Sequence, residues 1–94
     1  MDKKLSLYDV DGNAKFQTLG TSATSSQSAA IDSDRILLIC NEAHYVAFGA
    51  NPTATDTSFI MPAGFPLQMS FTRGHKVAAR THNGSGHLTI LEMA

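Results

Sequence analysis

The chain has 94 residues, 43% of them hydrophobic and 16% charged, and a formal net charge of −1 at pH 7. That length fits one small domain and no second core, and the charge content lies below the roughly 25% of an ordinary soluble domain, as expected of a surface partly covered by neighbours. The basic residues Lys3, Lys4, Lys15, Arg35, Arg73, Lys76 and Arg80 are scattered rather than gathered into a stripe, which argues against a nucleic-acid partner.

The start of the chain, Met1-Asp2-Lys3-Lys4-Leu5, opens no long apolar run, and nowhere does the sequence approach the ~18 apolar residues of a membrane span. The expectation is a soluble, unprocessed product without a membrane partner. Residues 4–9 alternate, with Leu5 and Leu7 on one side, and Asp11-Gly12 supplies the positive-φ positions of a tight turn into a returning strand over residues 14–19. Residues 21–30 are rich in Ser and Thr and read as either a polar edge strand or a loop, with Ile31 as the first strong apolar anchor.

Residues 35–41 are apolar on both faces, as expected of a strand buried between two layers, and residues 44–49 follow after a three-residue link. These two are expected to pair as a central hairpin. Cys40 is the only cysteine, so no intrachain disulfide can form; beside Ile36-Leu37-Leu38-Ile39 it reads as a buried thiol of a protein made in a reducing cytoplasm. Residues 49–64 carry glycine and proline and no helical period, so they form a long excursion with a short strand near residues 58–61. Leu67, Met69 and Phe71 alternate with Gln68, Ser70 and Thr72. After a turn at Arg73-Gly74-His75, residues 76–82 point Val77 and Ala79 inward, and Asn83-Gly84-Ser85-Gly86 leads into residues 87–93. The last three strands are expected to form a meander.

The fold expected is all-β: a small antiparallel β-sandwich, jelly-roll-like, of about seven to nine short strands. It fills residues 1–94 as one domain, with residues 1–25 as a possible separate N-terminal hairpin or attachment segment. The expected core is Leu38, Val46, Phe48, Met69, Phe71, Val77, Leu88 and Ile90.

Few residues suggest chemistry. Cys40 and His44 have a C-x-x-x-H spacing, but zinc needs three or four converging ligands, and His75, His82 and His87 fall in or beside turns without CxxC or HxxxH partners. Asp9-Val10-Asp11-Gly12-Asn13 resembles a calcium loop only superficially, because its Gly comes two positions too early and Gly20 stands where the bidentate Glu belongs. Gly84-Ser85-Gly86 has neither a following Lys nor a helix to cradle phosphate. No Gly-x-Ser-x-Gly elbow occurs. No cofactor, metal or catalytic residue is expected, and the chain is not read as an enzyme.

Phe48, Phe59, Met61, Phe65, Met69 and Phe71 gather around the excursion. They fill the sandwich core or, in part, pack on a neighbouring subunit. As protein-interface residues the sequence points to Pro52, Phe59, Met61, Pro62 and Phe65.

The stretch His44-Tyr45-Val46-Ala47-Phe48-Gly49, then Pro52-Thr53-Ala54, then Met61-Pro62-Ala63-Gly64, then Lys76-Val77-Ala78 and the closing Gly86-His87-Leu88-Thr89-Ile90 resembles a group of short β proteins encoded among the virion genes of tailed bacteriophages. The likeness covers residues 26–93 and has structural motifs only. It implies a virion component made in the host bacterial cytoplasm, either a capsid cement or decoration protein or a small neck or tail piece. The implied partners are the phage major capsid protein or other virion proteins, and further copies of the chain. Cement proteins often sit at local three-fold points of a shell, so a homotrimer is the implied assembly. A glycan-binding head-fibre or tail module is a further alternative, with Tyr8 and Tyr45 the only phenols available to it.

Overall fold

A computed structural model of the chain describes residues 15–82 and 84–93. The strand expected over residues 4–9, its Asp11-Gly12 turn, the calcium-like stretch and Tyr8 lie outside the described residues.

All regular structure in the described residues is β. The strands are β1 (Lys15–Thr21), β2 (Ser26–Gln27), β3 (Arg35–Cys40), β4 (His44–Gly49), β5 (Phe59–Met61), β6 (Leu67–Ser70), β7 (Lys76–Thr81) and β8 (Gly86–Glu92). They form two four-stranded antiparallel sheets, ordered β1-β8-β3-β6 and β2-β7-β4-β5. This is the strand order of a jelly roll. The sandwich expected from the alternating segments is therefore present.

Two pairings differ from expectation. β3 and β4 do not form a hairpin, and β6, β7 and β8 do not form a meander, because consecutive strands go to opposite sheets everywhere except between β4 and β5. The reason lies in the core. Ile36, Leu38 and Cys40 on β3 and Val46 on β4 are all buried with the same phase, and placing the two strands in facing sheets turns both apolar sides into one interior. The link follows β8 rather than closing on β4: Asn41 N–H donates to the His87 carbonyl, and Asn41 Oδ1 accepts from His87 N–H at 2.7 Å.

The core contains Ile31, Ile36, Leu38, Cys40, Val46, Met61, Val77, Ala79, Leu88 and Ile90, with Leu67, Met69 and Phe71 partly buried against it. Five expected core residues, Leu38, Val46, Val77, Leu88 and Ile90, are at most 1% exposed. Phe48 is corrected, being 37% exposed. β5 begins opposite Val46 and offers Phe48 no neighbour on that side, and its ring meets Phe71 edge-on, with centroids 6.2 Å apart.

β1 pairs along its full length with β8, so residues 15–21 belong to the sandwich and not to a separate attachment segment. The Ser/Thr-rich stretch proves to be a two-residue edge strand flanked by loop. Ile31 anchors it, fully buried, with N–H donating to the His75 carbonyl and C=O accepting from Gly74 N–H. Gly74 and Gly64 hold φ of 88° and 74°, left-handed values that favour glycine at the third position of their turns.

The excursion after β4 folds back on its own sheet. Register places Ala47 and Ala78 side by side on the outward face of β4 and β7, yet Ala78 is fully buried. Gln27 on β2 and Ser25 just before that strand hold the excursion there: Gln27 Nε2 donates to Asn51 Oδ1 and to the Pro52 carbonyl, each at 2.8 Å, and Ser25 Oγ accepts from Ala54 N–H at 2.9 Å. Small residues at 47 and 78 leave room for Pro52 and Ala54, both buried.

Candidate interaction surface

Three of the titratable side chains singled out by the sequence, Cys40, His44 and His82, are engaged in the fold. His44 is fully buried. Its Nδ1 lies 2.6 Å from the Glu42 carbonyl oxygen, which can only accept, so Nδ1 carries the proton and Nε2 in the neutral ring accepts from the Thr21 hydroxyl at 2.6 Å. Cys40 Sγ lies 3.4 Å from the Pro62 carbonyl. Burial pushes this thiol above its ordinary pKa, while the backbone amides of Glu42 and Gly64 pull the other way. Among the described residues no three His, Cys, Asp or Glu come together in a way that could hold a metal ion. Tyr45 and His82 meet on the outward face of the β4 sheet, hydroxyl to Nδ1 at 2.9 Å, with the Arg80 guanidinium 5.6 Å from the Tyr45 ring centre.

Most of the large exposed apolar groups fall on two sides of the sandwich; Ile60, 47% exposed and opposite Tyr45, lies instead on the outward face of the β4 sheet. The first side is the margin where the edge strands β5 and β6 lie. Phe59 is 54% exposed, Phe65 is 51% exposed, and Phe48 adds its half-open ring. Phe59 stands opposite Val46 and so faces inward in phase, yet it is 54% exposed because among the described residues no strand lies beyond β5. The same holds for the half-buried Leu67 and Met69 on β6. Residues 57–72, which supply both edges and the loop between them, contain no charged side chain. An edge of that kind lacks the Lys or inward charge with which monomers discourage pairing.

Of the interface residues expected from sequence, Phe59, Pro62 and Phe65 are exposed on this margin. Met61 is fully buried and Pro52 is buried with its carbonyl held by Gln27 of β2, at the opposite edge of the sheet from β5, so these two offer a partner nothing directly. Met61 takes its place by alternation, two residues from Phe59 and opposite the buried His44.

The second side is the outward face of the β1-β8-β3-β6 sheet, which the sequence reading missed. Register sets Phe16, Leu91 and Leu37 in one row across three strands, with Ile39 two residues further along. Phe16 is 58% exposed and Ile39 37%. Among the described strand residues of this face Arg35 is the one formally charged side chain. The signal was present in the two-sided apolar run of residues 35–41. It suggested cover on both faces, whereas a two-layer sandwich covers only one. Comparison of the chain with models of protein families, with curated proteins and with solved structures gives no match.

Proposed function

We propose that this chain is a structural protein of a bacteriophage particle, binding the capsid shell and reinforcing contacts between coat subunits as a cement or decoration protein. The observation that carries this reading is the uncharged, aromatic β5–β6 margin, with Phe48, Phe59 and Phe65 partly exposed along one side of a small sandwich. Exposed apolar groups gathered on one side of a small protein mark a surface that is covered in use.

Two of the segments that carry the resemblance border this margin: Ala47-Phe48-Gly49 ends β4, and Met61-Pro62-Ala63-Gly64 makes the turn from β5 toward β6. Decoration of a shell needs many identical contacts acting together, each of modest strength, and a low-charge surface suits it.

The test is mass spectrometry and electron cryomicroscopy of gradient-purified particles of the phage that encodes the chain. The expected result is many copies per particle on the outer shell, with the β5–β6 margin against a protein neighbour. Density confined to the neck or tail would move the protein there, and particles lacking it altogether would end the reading.

A further inference from the structure

We propose that Arg80 and His82 form a binding site for a carboxylate of a partner protein, an Asp or Glu side chain, on the outward face of the β2-β7-β4-β5 sheet. The site stands apart from the function proposed above, which rests on the β5–β6 margin. Its residues are brought together by register. Arg80 lies opposite Tyr45, and Tyr45 opposite Ile60, in one row across β7, β4 and β5. His82 follows two residues after Arg80, and its N–H donates to the Ala43 carbonyl. That bond carries the pairing of β7 with β4 past Thr81 and keeps both side chains on one face.

Tyr45 holds the two groups. Its hydroxyl lies 2.9 Å from His82 Nδ1, the two rings meet edge to face with centroids 5.6 Å apart, and the Arg80 guanidinium carbon lies over the Tyr45 ring, 5.6 Å from its centre. When the phenol donates to Nδ1, the neutral imidazole carries its proton on Nε2, the nitrogen not engaged by Tyr45, and His82 is exposed. Arg80 Nε is buried without a hydrogen-bond partner, and among the described residues the guanidinium has no ion pair. A guanidinium with one nitrogen shut off from water and no counter-charge gains more from an arriving carboxylate than a fully solvated one does. The surroundings reinforce this: β2, β4, β5 and β7 contain no Asp or Glu, although the chain as a whole is net negative.

The donor set selects the ligand. A carboxylate has two oxygens in one plane, one to accept from the guanidinium fork and one from Nε2–H. Its source is a protein chain rather than an acidic sugar, because the Tyr45 ring, the flat surface on which a pyranose would stack, is already covered by Arg80. Ile60, 47% exposed in the same row, offers an apolar contact to the residue beside the acid.

The experiment follows the NMR amide signals of the isotopically labelled full-length chain as blocked peptides are added: acetyl-Leu-Glu-Leu amide, and the same peptide with Gln in place of Glu. The acidic peptide is expected to shift the signals of Tyr45, Ile60, Arg80 and His82 with a dissociation constant on the order of millimolar, since a single partly exposed ion pair is weak. The Gln peptide should bind at least roughly fivefold less tightly. Arg80→Gln should abolish the shifts and His82→Ala should weaken them, whereas Arg73→Gln, which removes an exposed cation already paired with Asp32, should leave them unchanged. His82 is exposed, so His82→Ala decides the matter if Arg80→Gln fails to fold. Equal affinity for the two peptides, binding that survives at Arg80→Gln or His82→Ala, or an equal loss at Arg73→Gln would overturn the site. Glucuronate is titrated in parallel, and tighter binding of it than of the acidic peptide would assign the site to an acidic sugar and overturn the proposal.

Discussion

The hydroxyl of Thr21, at the end of β1, lies 2.6 Å from Nε2 of His44, at the start of β4, and so joins one sheet of the sandwich to the other through a wholly buried imidazole. Both ring nitrogens are occupied, since Nδ1–H donates to the Glu42 carbonyl. Thr81, opposite His44 in register and also fully buried, turns its hydroxyl to the Gly84 carbonyl at 2.6 Å. One end of the interior is therefore polar and satisfied. Thr21→Val keeps the shape but leaves the buried nitrogen without a donor, so it should lower stability by about 1–3 kcal/mol. Urea denaturation of wild type and variant measures this, and a change near zero would show that the bond between the sheets contributes nothing.

Leu38 and Phe48 provide a contrast between two apolar residues that look alike in sequence. Leu38 is fully buried between the sheets and Phe48 is 37% exposed. Leu38→Ala should cost about 2–5 kcal/mol. Phe48→Ala should cost less, because part of the ring is already in water and its recorded ring contact is Phe71. Denaturant midpoints at equal slope decide the order, and a larger loss at position 48 would contradict the placement of that ring.

Cys40 gives a prediction in alkali. Burial raises its pKa in the fold, so the unfolded chain loses the thiol proton first as pH climbs. The contribution to stability is complete below the ordinary thiol pKa of about 8.5 and is lost as pH rises from there through the folded value. Cys40→Ala removes this dependence. The stability difference between wild type and variant should be constant from pH 6 to about 8 and should shift against the wild type above about 8.5; a flat difference across the whole range would mean that the thiol is not shielded.

The excursion is held to the β4 sheet largely by Gln27 and Ser25. Gln27→Ala removes two hydrogen bonds at an exposed strand of two residues. Local opening should rise while global unfolding changes little. Limited proteolysis should then cut faster within residues 50–58, with the thermal midpoint nearly unchanged. Equal cutting rates would show that buried Pro52 and Ala54 suffice to hold the segment.

Alternation made several strands readable. Leu67, Met69 and Phe71 against Gln68, Ser70 and Thr72, and Val77 and Ala79 on β7, announce their inward phase, because successive side chains in a strand must point to opposite faces. Turns were readable for an equally local reason, as at Gly74, where the backbone has left-handed φ. The margin residues Phe59, Pro62 and Phe65 were found as apolar or rigid groups in a segment that is mostly loop. Met61 was not separable from them, since burial depends on what lies opposite, and for Met61 that is His44 on another strand.

The sequence by itself determined that the chain is all-β, where most strands fall, and which side of most of them is apolar. Only the tertiary structure decided which strands share a sheet, because a tight link such as Asn41–Ala43 serves a hairpin or a crossing equally well, and the choice is made by long-range burial. It also decided which apolar side chains stay outside. Leu37 and Ile39 look as buried as Leu38 in one dimension, but two sheets enclose a single interior, and whatever faces the other way on β3 remains open for another molecule to cover.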